Sequence, residues 1–348
     1  MKTLLSFLFF TCITFNSFSQ ICTGDFIFET QASVDQFILD NPTCTTIDGN
    51  VYITVYGTDP VQNTLGLQNI TSILGGLYIT ADALVDLQGL GNITNVNELE
   101  LSGPMSSAQM APLSSIQSIS QLTLYASEME DFHAFDGLVS LTNLSINFSI
   151  IPGEPLISFY DVFPGLTSVS GTLDIGVWDD SACDTLTGFN SLTHAGKIRF
   201  GPSGTIDIVE FDGLHNLEVI DQELYFDVIF QSVSGFENLH TAGNFNFFEL
   251  TCDCDLLSFD ALTDINDVGM FCYAWSAPRF PALDVIDGDF FYQGACDVID
   301  FSAIDSIGGN LIMSTDFSGL VVPVTANFLS LTHVGGNMQI EGFFMLLI

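Results

Sequence analysis

The sequence predicts an all-β protein, a parallel β-helix (β-solenoid) of about 13 coils with a short capping helix at the N-terminus. A phrase of the form I/V-x-G-x-L-x-I recurs thirteen times with a mean period of about 24 residues, and such a period is typical of stacked repeats. The first apolar residue of each L-x-I pair is here called the anchor. Another large apolar residue stands two positions after each anchor. This alternation is that of a strand with one buried face.

The anchors place one predicted strand in every copy of the phrase, because a helix would not keep strict alternation at the same place each time. Two residues before the anchor, eight copies carry glycine. Glycine tolerates a positive φ, so we expect a tight left-handed corner before each strand. The anchors are Val51, Leu77, Leu99, Leu122, Phe148, Leu173, Ile198, Leu224, Phe245, Val268, Phe290, Leu311 and Met338. The glycines are Gly49, Gly75, Gly171, Gly196, Gly243, Gly288, Gly309 and Gly336.

Several copies resemble the receptor L-domain repeat, the leucine-rich, right-handed β-helix module of growth-factor and insulin receptor ectodomains. The best copy is L-T-S-V-S-G-T-L-D-I at 166–175, and N-I-T-S-I-L-G-G-L-Y-I at 69–79 is a second. The segment 44–53 resembles the cysteine-led start of such a domain. The resemblance runs from about Cys22 to the C-terminus and implies a right-handed coil.

The chain departs from the receptor pattern in three ways. Thirteen uninterrupted coils exceed one receptor domain, no cysteine-rich module follows, and no kinase segment is present. Growth-factor binding is therefore not implied, and the pattern is more similar to bacterial secreted and cell-surface proteins that reuse this repeat. A leucine-rich-repeat horseshoe is the alternative fold, although the asparagine expected after L-x-L is missing from nearly every copy.

The order of segments predicts an exported protein. Residues 1–19 have the short apolar core and the small residues before a cut that define a signal peptide. Residues 20–43 are expected to form an N-terminal cap, with a capping box at Ser33–Gln36 and a helix through Leu39. Cys22 and Cys44 flank this helix and are candidates for a disulfide, which export permits. Residues 44–348 are the receptor L-domain-like solenoid, expected to continue beyond Ile348.

The charge balance restricts the partners. The formal net charge is −38, which repels nucleic acid and anionic lipid. After loss of the signal peptide the only Lys and Arg residues are Lys197, Arg199 and Arg279, against 42 acidic residues. Such an acidic surface would also suit Ca²⁺; no other cofactor is expected. No second apolar run is long enough to span a membrane as a helix.

Two breaks in the repeat are the predicted binding sites. The segment 272–280 holds Tyr273, Trp275 and Arg279, and aromatic residues with arginine on a loop are typical of binding hot spots. Trp178 precedes an acidic loop that contains Asp179, Asp180 and Asp184. We expect these breaks to carry ligand binding, because positions that recur in every copy are needed by the coil itself.

Three functions are compatible with these features. The first is a non-enzymatic repeat scaffold, a surface interaction or adhesion module that binds protein or glycan through its loops. The second is a carbohydrate-active enzyme that uses carboxylates near Trp178, since β-helices host lyases and glycosidases and hydrolysis needs two carboxylates. The third is a structural spacer without a specific ligand. No nucleophile, phosphate-binding or metalloprotease motif is present, and we expect no enzymatic activity.

Overall fold

The computed structural model describes residues 20–55, 60–81, 85–126, 129–149, 157–178, 183–201, 207–227, 229–250, 257–272, 278–294, 298–315, 324–342 and 344–347. These residues form a parallel β-solenoid of about 11 turns with a period near 24 residues and few helices. The predicted fold class is confirmed, with slightly fewer turns than the 13 expected. The predicted signal peptide, residues 1–19, lies outside the described residues.

The elements follow the repeat from end to end. The strands of the first half are β1 Gln20–Thr23, β2 Phe26–Phe28, β3 Cys44–Asp48, β4 Val51–Val55, β5 Ser72–Ala81, β6 Asn95–Ser102, β7 Ser118–Tyr125, β8 Ser140–Leu141, β9 Asn143–Ser149, β10 Ile157–Val162 and β11 Ser168–Trp178. Those of the second half are β12 Cys183–Gly188, β13 His194–Phe200, β14 Asp207–Gly213, β15 Val219–Phe226, β16 Ile229–Ser234, β17 Thr241–Leu250, β18 Asp264–Cys272, β19 Val285–Ile286, β20 Phe290–Gly294, β21 Val298–Asp300, β22 Ser306–Ile307, β23 Leu311–Ser314, β24 Val324–Asn327, β25 His333–Val334, β26 Met338–Glu341 and β27 Phe344–Leu347. The helices are α1 Gln31–Asp40 and α2 Ser107–Met110, and short 3₁₀ turns cover Leu65–Leu67, Gln88–Leu90, Ala111–Ser115 and His133–Phe135.

The anchor strands pair into one long parallel sheet of 17 strands, called here the main sheet. Its register joins equivalent positions of successive coils, as where Leu77 lies opposite Leu99 and Ile79 opposite Leu101. All four of these side chains are buried. The predicted period-2 alternation therefore places the anchor and the apolar residue two positions later inside the coil. Each of them lies next to the equivalent apolar residue of the next coil.

One predicted anchor is wrong. In the fifth copy Leu144, not Phe148, lies opposite Leu122 on one side and Leu173 on the other. Phe148 is buried four residues further along the same strand, opposite Val177. Apolar residues alternate strictly along β9 at Leu144, Ile146 and Phe148, so the pattern alone does not show which of the three is the anchor. With Leu144 as anchor, the interval to Leu173 is 29 residues, the longest in the chain.

Phenylalanine rings form continuous stacks inside the solenoid. The rings of Phe200, Phe226 and Phe247 stack with centroid distances of 5.1 Å and 5.2 Å and nearly parallel planes. A second stack runs through the neighbouring wall, and it comprises Phe259, Phe280, Phe301 and Phe328. These stacks explain how a chain with 32 phenylalanines buries so many rings in a narrow interior.

The N-terminal cap differs from the expected one. Strands β1 and β2 add to the main sheet, parallel to β3 and β4, and a disulfide joins Cys22 to Cys44, as predicted. The N-cap of helix α1 is Thr30, three residues before the predicted N-cap Ser33. The Thr30 side chain accepts a hydrogen bond from the Ser33 N–H, and the Ser33 side chain accepts one from the Thr30 N–H. Serine thus takes the place at N3 that glutamate or glutamine usually fills. The buried face of the helix is Val34 and Phe37.

A ladder of asparagine and aspartate side chains, here called the Asx ladder, joins the coils. The residue directly before the anchor accepts, through its Oδ1, a hydrogen bond from the backbone N–H of the equivalent residue one coil later. The donor–acceptor distances are 2.6–2.9 Å. The accepting residues are Asp25, Asn50, Asn143, Asp267, Asp289 and Asn310.

The Asx ladder gives five of the eight glycines before the anchors a role, whereas a Cβ at Gly49, Gly196 or Gly243 would meet backbone atoms of the previous coil. Only Gly49 has a positive φ, so the expected left-handed corner is wrong for the other seven. A Cβ at Gly171 would lie 2.4 Å from Asn143 Oδ1, and one at Gly288 would lie 2.1 Å from Asp267 Oδ1. Glycine is required at these positions because the Asx side chain of the previous coil occupies the space of a Cβ.

Removing one acceptor of the Asx ladder is expected to weaken the fold measurably. Asn143 Oδ1 accepts from Thr172 N at 2.9 Å in a partly buried corner. Asn143→Ala should lower the free energy of unfolding by about 1–2 kcal/mol, because the Thr172 N–H loses its partner. Urea denaturation measures this loss. Asn143→Asp, which keeps the acceptor oxygen, should lose less; an equal loss in both variants would argue against the hydrogen bond as the cause.

His215 joins the acidic side chains of neighbouring coils. Its Nε2 lies 2.8 Å from Asp212 Oδ1 and its Nδ1 lies 2.6 Å from Glu237 Oε1. Burial opposes protonation of His215, but the hydrogen bonds to Glu237 and Asp212 outweigh it and raise its pKa above the ordinary 6.5. The hydrogen bonds from Ser234 and His215 outweigh burial and lower the pKa of the Asp212 carboxyl.

These shifts give a pH-dependent stability with a defined sign. Because the folded-state pKa of His215 is raised, its contribution is complete below the unfolded value and is lost as the pH rises through the folded pKa. The stability difference between the native chain and His215→Gln should therefore be larger at about pH 5.5 than at about pH 8.5. Thermal or urea unfolding at both pH values measures it. A difference that grows with pH would contradict this account.

Candidate functional site

The predicted binding residues are only partly within the described structure. Tyr273 and Trp275 lie outside the described residues. Trp178 ends strand β11, with its Cα opposite that of Ser149. Arg279 is exposed, and its backbone forms a bridge with Ser258. Three strands of the main sheet, β13, β15 and β17, lie between the strand of Trp178 and β18, which precedes Arg279, so the two residues belong to separate coils.

Arg279 lines a small cavity of about 140 Å³ between two coils. Its other lining residues are Phe280, Pro281, Asp300, Ser302 and Ala303. Phe280 is buried in the ring stack, so the cavity is shallow and has the core as its floor.

The other two basic residues are held by acidic and aromatic neighbours on the outer face of the main sheet. Lys197 forms an ion pair with Glu223, and the Arg199 guanidinium lies 5.5 Å from the ring centre of Tyr225. Burial raises the pKa of Asp174, whereas Arg199 and Lys197 act in the opposite direction. Lys197 and Arg199 lie among acidic side chains on adjacent strands, so they reduce the repulsion between these carboxylates. Both are already engaged by neighbours within the sheet.

A third break in the repeat forms a cleft, which we name the step cleft, defined by residues 130–136 and 158–162. It lies where one wall of the solenoid changes its structure. Earlier coils build this wall from 3₁₀ turns, ending with His133–Phe135, whereas later coils build it from β10, β12, β14 and β16. The two kinds of wall do not pair, and a cavity of about 210 Å³ remains between them.

Among the residues that the structure describes, strand β10 therefore has one unpaired edge. Its other edge pairs with β12 in parallel. Among the described residues, no backbone hydrogen bond joins residues 130–136 to residues 158–162. An unpaired strand edge exposes backbone polar groups that a ligand can use.

The step cleft combines an apolar floor with a polar rim. The floor is a parallel stack of Phe132 on Phe159, with ring centres 4.6 Å apart, and both rings are buried. Tyr160 lines the rim with 64% of its surface exposed. The remaining polar side chains of the lining are Glu130, Asp131, His133, Asp136, Ser158 and Asp161.

The carboxylates of the cleft differ in how they are engaged. Glu130 and Asp131 accept hydrogen bonds from Ser107 of the previous coil. Asp136 Oδ2 lies 3.2 Å from His133 Nδ1, whereas its Oδ1 is covered and has no hydrogen-bond partner. The carboxylate of Asp161 makes no hydrogen bond among the described residues. Among the described residues, Asp161 is therefore the one carboxylate of the lining that is both exposed and without a hydrogen bond.

The backbone of Asp161 is held in an unusual conformation. Its φ is +51°, in the left-handed region that non-glycine residues seldom adopt. Its N–H donates to the Thr187 hydroxyl of the next coil at 3.0 Å. A positive φ recurs two residues further on, in the buried Phe163 and in its counterparts Phe189, Leu214 and Phe236 of later coils. The left-handed conformation of Asp161 is instead specific to β10, where the register with β12 shifts between Phe159 and Val162.

One feature of the sequence, the spacing of the anchors, indicates this cleft but was not recognised in the prediction. The 29-residue interval between Leu144 and Leu173 marks an insertion at the step. With the anchor placed at Phe148, the intervals on its two sides are 26 and 25 residues, both of ordinary length, so the insertion was not recognised.

Within the described residues, no group of three or more histidine, cysteine or acidic side chains is arranged to hold a metal ion. The expectation of Ca²⁺ therefore has no geometric support in this part of the chain. No helix among the described residues has the length and apolar character needed to cross a membrane.

Comparisons of the chain with protein-family models, with curated proteins and with solved structures found no match. The resemblance to receptor L-domain repeats stays a prediction from the sequence.

Proposed function

We propose that this protein is an exported, non-enzymatic repeat scaffold, a cell-surface interaction or adhesion module. It binds protein or glycan at places where the repeat is broken. The observation that carries the proposal is the step cleft, where an exposed Tyr160 stands beside an unpaired strand edge and the unengaged carboxylate of Asp161. An amphipathic aromatic ring at the rim of a concave site is typical of binding surfaces.

The cellular location is part of the proposal. The N-terminal segment has the features of a signal peptide, and the Cys22–Cys44 disulfide suits an oxidising compartment outside the cytosol. We infer a secreted or surface-attached protein, similar in architecture to bacterial secreted repeat proteins with receptor L-domain-like coils. Its net charge of −38 disfavours nucleic acid as a partner.

A carbohydrate-active enzyme is the second candidate, favoured by the four carboxylates that line the step cleft. Of the acidic residues predicted near Trp178, Asp179 and Asp180 lie outside the described residues, and Asp184 accepts a hydrogen bond from Ser158 of the cleft lining at 3.3 Å. A spacer without a ligand would need no cleft of this composition, so it is the least supported of the three functions.

The test is a binding survey with matched variants. The mature chain, residues 20–348, is applied to a glycan array and to intact cells, with and without Ca²⁺, and the glycans are analysed by mass spectrometry for cleavage. We expect binding without cleavage, weakened by Tyr160→Ala and unchanged by Tyr125→Ala, which removes a tyrosine that is 41% exposed on the main sheet. Trp275→Ala tests the predicted loop in the same survey. Cleavage products would favour the enzyme, and absence of all binding would favour the spacer.

A further inference from the structure

The composition of the step cleft restricts the chemistry of its ligand. Four of its polar side chains are carboxylates, which only accept hydrogen bonds when ionised, and no lysine or arginine lines it. A ligand that brings a carboxylate or sulfate would meet like charges, and the one basic side chain of the lining, His133, is already hydrogen-bonded to Asp136. A ligand rich in donors and without negative charge would satisfy the unused oxygen atoms.

The size of the cleft restricts the ligand further. A volume of about 210 Å³ is below the range of roughly 300–1,000 Å³ that holds a drug-sized molecule. The cleft therefore accommodates one small unit of a longer chain, with the neighbouring units passing over the exposed rim.

Two neighbouring side chains at the rim are exposed and can contact a ligand. Among the described residues, the Tyr160 hydroxyl and the Asp161 carboxylate make no hydrogen bond. Tyr160 offers an apolar face and a polar tip on one side chain. Asp161 is fixed next to it by the left-handed corner. This pair fits a molecule with one C–H face and several hydroxyl groups.

We propose that the step cleft binds one unit of a non-acidic saccharide. Hydroxyl groups of the sugar donate to the Asp161 carboxylate and to Glu130 Oε1, since Ser107 donates only to Glu130 Oε2. The C–H face of the sugar packs on Tyr160. This assignment rests on the proposed function as an interaction module and names the ligand class at that site. It predicts discrimination by charge: neutral saccharides bind, and uronates of the same length do not.

Calorimetric titration of the mature chain tests the assignment. The probes are cellotetraose, mannotetraose and N-acetylated chitotetraose as neutral ligands, with tetragalacturonate as the acidic one. We expect at least one neutral probe to bind and tetragalacturonate to give no heat of binding. Tyr160→Ala should weaken the neutral probe on the order of tenfold.

Asp161→Asn is the second variant, chosen because asparagine also adopts a positive φ. Replacing a charged acceptor by a neutral one should weaken the neutral probe by about fivefold. Tyr125→Ala is the control and should leave the affinity unchanged. Circular dichroism confirms that each variant is folded.

Three results would overturn the saccharide assignment: no neutral probe binds the folded chain, tetragalacturonate binds as tightly, or Tyr160→Ala has the affinity of the native chain. The proposed function can survive each of these, because glycan or cell binding at another surface would still appear in the survey. It fails when that survey shows cleavage of the glycans or no binding at all.

Discussion

Gly89→Ala is expected to destabilise the solenoid by about 3 kcal/mol or more, the upper end for overpacking a well-packed interior. Gly89 lies in the 3₁₀ turn Gln88–Leu90 and is buried. A Cβ built there would lie 1.7 Å from the carbonyl oxygen of Thr64 and 2.2 Å from its carbonyl carbon. Both atoms belong to the backbone of the previous coil, so no side-chain rotation can relieve the contact. Urea denaturation of the purified variant measures the loss.

Gly137→Ala is the matched control, since Gly137 also precedes a leucine in the repeat. A Cβ at Gly137 would meet nothing within 4 Å. This substitution should change the free energy of unfolding by less than about 1 kcal/mol. Equal losses at Gly89 and Gly137 would mean that the close approach of adjacent coils is not what requires glycine at Gly89.

Phe226→Ala is expected to cost about 3–5 kcal/mol, the range for removing a buried aromatic side chain. Phe226 is fully buried and stacks on Phe200 and Phe247 in the two adjacent coils. Because coils on either side hold the backbone in place, the ring's volume stays empty in the variant. The loss is read from the shift of the urea midpoint at unchanged slope.

Phe226→Leu is the control for cavity formation. It keeps most of the apolar volume, so we expect about half the loss of Phe226→Ala or less. A loss of similar size in both variants would argue that ring stacking, and not the empty volume, dominates at this position.

The sequence was sufficient to predict the solenoid because its period repeats the same physical requirement in each coil. Alternating apolar residues such as Leu77 and Ile79 must face inward in every copy, so one pattern is confirmed many times over. The corner glycines were found for the wrong reason. Their neighbours across the coil, such as Asn143 opposite Gly171, are about one period away in the sequence, and only the stacking brings them into contact.

The candidate site was much harder to predict. The sequence drew attention to rare residues, Trp178, Trp275 and Arg279, because they break the repeat visibly. The step cleft depends instead on two walls of different structure, and its residues are common ones such as Asp161 and Tyr160. Their proximity to residues 130–136 follows from the register between successive coils. The prediction had this register wrong at the step because it placed the anchor at Phe148 instead of Leu144.

Hydrogen–deuterium exchange of the mature chain with a saturating neutral oligosaccharide, identified in the binding survey, tests the central claim most directly. If the step cleft is the binding site, amide exchange should slow in residues 130–136 and 158–162, at the unpaired edge of β10, and remain unchanged in the distant strands β20 and β23. Protection confined to another surface, or none in the presence of bound ligand, would contradict the placement of the function at this break in the repeat.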